Sequence, residues 1–114
     1  MQAQAISKYV RLSPYKLRPY ADVIRGNTVG KAYAWLKTCA NRRTLPLLKT
    51  VMSAAANAKN KGGDTVIIDD LNIKEVRIDQ GPIIRYFKPG AMGRGVIQRK
   101  RMSHVSVIVE TKSK

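Results

Sequence analysis

The side chains able to do chemistry in this chain are overwhelmingly cationic. Twenty-two Lys and Arg stand against seven Asp and Glu, with one histidine, His104, and one cysteine, Cys39. No second His or Cys is available to complete a common zinc site. Cys39 falls in a helical pattern and reads as a packing residue. The acids show no motif for metal binding or general acid–base work. Arg25-Gly26-Asn27-Thr28-Val29-Gly30-Lys31 places two glycines before a lysine, but with neither the spacing nor the preceding strand of a phosphate-cradling loop. The chain therefore reads as a protein that is not an enzyme and takes no metal or cofactor. What remains is the pairing of cations with phosphates, which releases counterions and drives binding to nucleic acid.

The cations are not spread evenly. Residues 80–104, QGPIIRYFKPGAMGRGVIQRKRMSH, hold Arg85, Lys88, Arg94, Arg99, Lys100 and Arg101 and no acid. Arginine can fork onto a phosphate and stack on a base, and Tyr86 and Phe87 offer stacking faces. Residues 1–63 carry twelve Lys and Arg against the single acid Asp22, whereas five acids cluster in residues 64–79. Arg11, Lys16, Arg18 and Arg25 flank the first predicted helix and are candidates to hold phosphates. His104 is read as orienting the hairpin base, touching RNA, or filling a core position.

The elements that must position these residues follow from periodicity. Residues 3–12 alternate loosely as a short strand. Ser13-Pro14 starts a helix to about Ile24, with Leu17, Tyr20, Ala21 and Ile24 on one face, a kink expected at Pro19, and Gly26 as the stop. Thr28 caps a second helix from about Val29 to Ala40, with Val29, Ala32, Tyr33, Leu36 and Ala40 at helical spacing. A third begins near Asn41–Thr44 with Thr44 as cap and ends at Lys61, before Gly62-Gly63; its apolar stripe is read as Leu45, Leu48, Met52 and Ala55. The period then becomes two. Leu71 and Ile73 alternate, Val76 and Ile78 resume out of phase after a bulge near Lys74-Glu75, and Val105, Val107 and Val109 supply a pairing strand. The expected architecture is α+β, three helices packed on a small antiparallel sheet.

Between the strand bases, a structureless loop of such length would be unusual. An extended two-stranded arm fits better, reaching about 30 Å from Gly81 to Gly90 at roughly 3.3 Å per residue. Ile83, Ile84, Tyr86, Phe87, Met92, Val96 and Ile97 would be partly exposed on it, as on a surface that a partner normally covers. The chain reads as one domain, with a body of residues 1–80 and 104–114 and a hairpin of about 81–103. Its 114 residues and 44% apolar content support one modest core. One cysteine permits no intrachain disulfide and suits a reducing compartment. No 18-residue apolar run reads as a membrane span, and residues 1–10 lack the apolar core of a secretory signal.

Ser13-Pro14-Tyr15-Lys16-Leu17-Arg18 followed by Ala21-Asp22-Val23-Ile24-Arg25-Gly26 resembles the start of the bacterial-type ribosomal protein twenty-two family of the large subunit. Ser53-Ala54-Ala55-Ala56-Asn57-Ala58 resembles its third helix. Gly81-Pro82, then Pro89, Ala91 and Gly93-Arg94, and then Lys100-Arg101-Met102-Ser103-His104-Val105-Ser106-Val107 resemble its C-terminal signature. The resemblance runs in order along nearly the whole chain. It implies three helices, a three-stranded sheet and a protruding hairpin, in a protein bound to large-subunit rRNA and helping early assembly. It implies a body outside the subunit near the exit and a hairpin threading rRNA, with its tip, Pro89, Gly90, Ala91, Met92 and Gly93, lining the nascent-peptide tunnel near where macrolides bind. The implied rRNA-binding residues are Arg11, Ser13, Lys16, Arg18, Arg25, Arg85, Lys88, Arg94, Arg99, Lys100, Arg101 and His104. The implied partners are large-subunit rRNA, neighbouring ribosomal proteins and the nascent peptide in transit, with no membrane and no homo-oligomer. The implied location is on a cytoplasmic ribosome, or on that of an organelle of bacterial descent. The chain departs from the family at Pro19, where an apolar residue is usual, and at Gly90 and Met92, where cations are frequent, so its tip is less basic and more apolar.

Two other readings compete. An architectural DNA-binding protein with β-ribbon arms would use Pro89 as a wedge in the minor groove and would be a dimer. A membrane-surface protein would need a basic amphipathic helix with bulky apolar residues opposite, and none of the predicted helices has that face.

Overall fold

The computed structural model describes residues 2–39, 42–63 and 66–111. Along the chain come β1 (Gln2–Val10), α1 (Pro14–Ile24), α2 (Val29–Thr38), α3 (Leu45–Gly62), β2 (Asn72–Pro89) and β3 (Gly95–Glu110), with single 3₁₀ turns at Arg42–Thr44, Ile68–Asp70 and Ala91–Gly93. The three strands form one antiparallel sheet in the order β1-β3-β2. The α+β architecture is the one the periodicity predicts.

Helix α1 begins after Ser13, whose carbonyl accepts from the N–H groups of Lys16 and Leu17 while its hydroxyl makes no cap bond. Leu17, Ala21 and Ile24 are fully buried, Tyr20 is half-buried beside Trp35, and the helix runs unbroken through Pro19. Gly26, at φ 84°, ends it in a backbone region that glycine enters freely. The Thr28 hydroxyl caps α2 by accepting from Lys31 N–H. That helix stops at Thr38, short of the expected Ala40; Ala40 and Asn41 lie outside the described residues.

Helix α3 departs most from the sequence reading. Its buried face is Leu47, Thr50, Val51, Ala54, Ala55 and Ala58, while Leu45 and Met52 are exposed and Leu48 is half-buried. Two apolar stripes overlap at its start, about one residue apart. Ala55, expected on the outer stripe, is shared with the inner one and is buried; Ala54 and Ala58 extend the inner one, and these small side chains let α3 settle closely on β1 and β3. Thr44 precedes the helix, but its hydroxyl donates to Leu36 O rather than capping. Buried Thr50 bonds back to Pro46 O and across to the Ser7 hydroxyl, both at 2.8 Å.

The sheet packs one face against the helices through Ala3, Ala5, Ile73, Val76, Ile78, Val105, Val107 and Val109, all buried. The register steps between Ile73 and Glu75, the bulge that the phase change predicts, so Leu71, Ile73, Val76 and Ile78 all reach the core. Both edge strands have carbonyls occupied by side chains. Asn57 and Lys61 on α3 donate to Gln4 O and Gln2 O on β1, while Arg18 and Arg25 of the α1 region donate to Ile78 O and Val76 O on β2. Occupied edges resist pairing with other chains.

Beyond Gln80 the β2–β3 ladder leaves the body as an arm. The radius of gyration is 17.3 Å and the longest extent 66 Å. A compact domain of this length would have a radius near 13 Å.

The two stripes of α3 can be told apart by unfolding in urea. Leu47→Ala should remove about 2–5 kcal/mol by opening a cavity, whereas Leu45→Ala should cost less than about 1 kcal/mol. Equal losses would contradict the packing described.

Candidate nucleic-acid interface

The arm is a two-stranded ladder paired from Ile83↔Arg101 to Pro89↔Gly95. Alternation gives it two faces. One carries Ile83 with Arg101, Arg85 with Arg99, and Phe87 with Ile97. The other carries Ile84 with Lys100, Tyr86 with Gln98, and Lys88 with Val96. Phe87 is 74% exposed and Ile97 56%, so neither contributes to a core. Arg85 lies directly opposite Arg99, and like charges in that relation destabilise an isolated hairpin. Among the described residues no acid pairs with an arm cation. Two ion pairs, Asp22–Arg25 at 2.7 Å and Glu75–Arg77 at 3.5 Å, lie on the body and are exposed, so each is worth little.

At the arm's root the chain forms an open groove of about 500 Å³ lined by Arg11, Leu12, Ser13, Lys16, Arg43, Arg99, Lys100 and Arg101. The buried Ser103 hydroxyl on β3 donates to Leu12 O, which pins the segment joining β1 to α1 against the arm. Arg11 and Lys16 are thereby brought beside cations 83 or more positions later in the chain. Among the described residues, six cations and no acid line this concavity. A smaller groove on the same side is lined by Arg11, Ile84, Tyr86, Lys100 and Met102, offering an aromatic and apolar surface beside two cations. Together they can receive a phosphate backbone and, next to it, a base or sugar.

Of the residues singled out in the sequence, Arg11, Ser13, Lys16, Arg99, Lys100 and Arg101 meet in this groove. Arg43 joins them unforeseen. Its signal was the Arg42-Arg43 pair just before a helix, which the linear sequence does not place near the arm. Arg85, Lys88 and Arg94 lie further out and are exposed. Arg18 and Arg25 are held on the body: Arg25 bridges Asp22 and Val76 O, and Arg18 donates to Ile78 O at 3.2 Å. The Arg18 guanidinium also lies 5.3 Å from the Tyr15 ring, which Arg101 approaches at 6.0 Å. Such exposed cation–π contacts are worth about 0.5–1 kcal/mol each. His104 is half-buried at the root of the arm, where it contacts Tyr9. Its Nδ1 accepts from Tyr9 N–H at 3.1 Å, which places its ring proton on Nε2, and its ring meets the Tyr9 ring edge to face at 5.1 Å.

The tip is a single turn. Gly90 N–H donates to Arg94 O, and a side chain at Gly90 would place its Cβ 2.9 Å from that carbonyl and 3.0 Å from Val96 Cγ2. Met92 takes φ 58° and its side chain is fully exposed, followed by Gly93 at φ 76°. A left-handed methionine is strained, so the apex holds an apolar side chain out into solvent at some cost.

Among the described residues, no group of three or more His, Cys, Asp or Glu stands where it could hold a metal ion, and no helix is long and apolar enough to cross a membrane.

Replacing Arg85 with Gln should leave the free protein's thermal midpoint unchanged or slightly raised, because it relieves the pair opposite Arg99. A clear loss of stability in a melting experiment would mean that this arginine holds the fold.

Comparison with known proteins gives a single answer. Residues 5–110 match the family model described as Ribosomal protein L22p/L17e. The large ribosomal subunit protein uL22 of Desulfitobacterium hafniense strain Y51 is 46% identical over 112 residues, covering 97% of this chain and 96% of its own. That of Pelotomaculum thermopropionicum is 41% identical over 112 residues, covering 98% and 97%. The large ribosomal subunit protein uL22c of Chlorokybus atmophyticus is 41% identical over 110 residues, covering 96% and 91%.

Proposed function

This chain belongs to the ribosomal protein L22p/L17e family, and we propose that its arm and root groove clamp rRNA segments that would otherwise repel one another. As a family member it is a structural constituent of the large ribosomal subunit, bound there with rRNA and other ribosomal proteins. The family is not a class of enzymes, and the β-ribbon DNA-binding alternative falls away with that membership.

The observation that carries the clamp is the groove itself, lined among the described residues by six cations from three separate stretches of chain and by no acid. Phosphates entering it release counterions and cancel the repulsion among the cations, so binding and neutralisation favour each other. The arm then extends the contact. Arg85 and Arg99 face phosphate from one side, Lys88 and Lys100 from the other, with Tyr86 and Phe87 available to stack on unpaired bases. Arg18, Arg25 and Arg94 add donors at the margins, since a guanidinium has five N–H groups and those used inside the protein leave others free. Ser13 offers a hydroxyl at the groove wall, and His104 keeps Nε2–H for an RNA acceptor. The tip, Pro89, Gly90, Ala91, Met92 and Gly93, is small and uncharged apart from its flanks, which suits a wall that a nascent peptide passes without sticking. The family resemblance supports reading this tip as part of the peptide-tunnel wall.

Two experiments test this. The protein should stay with large subunits through a moderate-salt wash, and in RNA titrations the double change Arg99→Gln with Lys100→Gln should flatten the plot of log K against log salt by about 1.4 to 1.8. An unchanged slope, or recovery of the protein only from the free pool at low salt, would end the clamp reading.

The body, residues 1–80 and 104–114, is proposed to fold without the arm. Removing 84–97 joins Ile83 to Gln98 just beyond the Ile83↔Arg101 pair, leaving Gln98, Arg99 and Lys100 as a short hairpin loop. The deleted protein should keep its helical circular dichroism and a cooperative melt, and loss of folding would make the arm part of the core.

A further inference from the structure

Where the arm leaves the body, each strand beside β3 carries a bulge. On β1 the register steps from Ser7↔Val105 to Val10↔Ser103, leaving Lys8 and Tyr9 across from His104. Tyr9 takes φ 59° there, and its N–H is held by His104 Nδ1. On β2 the register steps from Gln80↔Ser103 to Ile83↔Arg101, leaving Gly81 and Pro82 across from Met102. A Cβ at Gly81 would sit 3.1 Å from the Met102 carbonyl carbon and oxygen, so the two backbones are in close contact. Bulges bend a strand, sharpen its twist and interrupt its ladder. With both neighbours of β3 interrupted at one level, the ladder alone leaves this junction as the place where the arm can swing.

One side chain spans it. The Arg18 guanidinium donates to Ile78 O, on β2 before the bulge, and lies 5.3 Å from the Tyr15 ring. Arg101, the first paired residue of β3 on the arm side, lies 6.0 Å from the same ring. Tyr15 thus links a point below the junction to a point above it. Its ring face attracts both guanidiniums, whose mutual repulsion would otherwise push the arm off α1.

We infer that Tyr15 is a positioning residue that aims the arm, holding one arm direction in the free protein before any RNA is met. The ring also holds the Arg18 and Arg101 forks in place while leaving N–H groups free on each. Tyr15 is 62% exposed and contributes no core packing, so its conspicuous contacts are those with the two arginines. The inference concerns the protein alone and stands apart from what the arm binds.

The test uses the full chain with Cys39→Ser, and spin labels on cysteines replacing Met92 at the tip and Ala34 on the exposed side of α2. The tip-to-body distance distribution is read by pulsed electron paramagnetic resonance. Tyr15→Ala should widen the distribution at least twofold while circular dichroism and the thermal midpoint stay as in the parent. Tyr15→Phe keeps the ring and should restore the narrow distribution. Arg101→Gln, which leaves Tyr15 and the body intact, should widen it as Tyr15→Ala does. A distribution unchanged by Tyr15→Ala, or widened equally by Tyr15→Phe, would overturn the proposal.

Discussion

Strand β3 is one continuous element that has to satisfy two environments. At one end Val105, Val107 and Val109 are sealed between the sheet and the helices. At the other the same strand face continues as Ser103, Arg101, Arg99 and Ile97. Where the helices stop covering it, valine gives way to arginine. Because β3 itself carries no bulge, its register in the core dictates which arm residues face which way, about 20 Å from the last buried valine at roughly 3.3 Å per residue. A one-residue slip would drive His104, Ser106 and Ile108 inward and turn the guanidinium face over. The packing of three valines therefore specifies the chemistry of a surface they never touch.

Charge is the second constraint, and the fold distributes it by task. Asp22, the one acid before residue 64, is bonded to Arg25, whose other nitrogen reaches Val76 O. Arg25 and Arg18 thus close the outer edge of β2, an edge that would otherwise present bare carbonyls. Arginine suits this because its planar fork can serve a carbonyl and a ring or carboxylate together. Around the groove, Arg11, Lys16, Arg99, Lys100 and Arg101 carry no carboxylate partner among the described residues. Open to water they are tolerated individually, but their concentration on one concave surface creates a field that favours a polyanion.

The sequence made these divisions only partly legible. Helix α1 and the inward residues of β2 and β3 could be read directly because their periodicity was unambiguous, including the phase break at Lys74. The buried face of α3 could not, because Leu45, Leu47, Leu48, Val51 and Met52 satisfy two helical stripes at once. Only the sheet beneath chooses between them. The acid-free run marked the arm, but nothing linear joined Arg43 to Arg99, since their proximity depends on the Ser103 bond to Leu12 and on how the 3₁₀ turn Arg42–Thr44 meets α1. Nor did residue type reveal that Arg18 and Arg25 are tied to the sheet while Arg11 and Lys16 are not. A cation's role depends on which carbonyl lies within reach, and that is a property of the fold.

The arm's own energetics point the same way as its chemistry. A two-stranded ribbon with both faces wet is marginal by itself. Here the ladder carries an Arg85–Arg99 pair that opposes it and a left-handed Met92 at its apex. Phe87 and Ile97, paired across the strands, return some apolar contact, but their exposure leaves most of that area unburied. On the clamp reading, the charge and exposure costs would fall on contact with a phosphate-rich surface. The paired arginines would then form a paired anion site, and the exposed ring and aliphatic chains would meet bases and sugars. A ligand that binds only the ordered arm stabilises it by mass action. On that reading the features that make the arm weak alone are those that would couple its order to RNA, while Ser103, His104 and the Arg18–Tyr15–Arg101 contacts tie the root to the body.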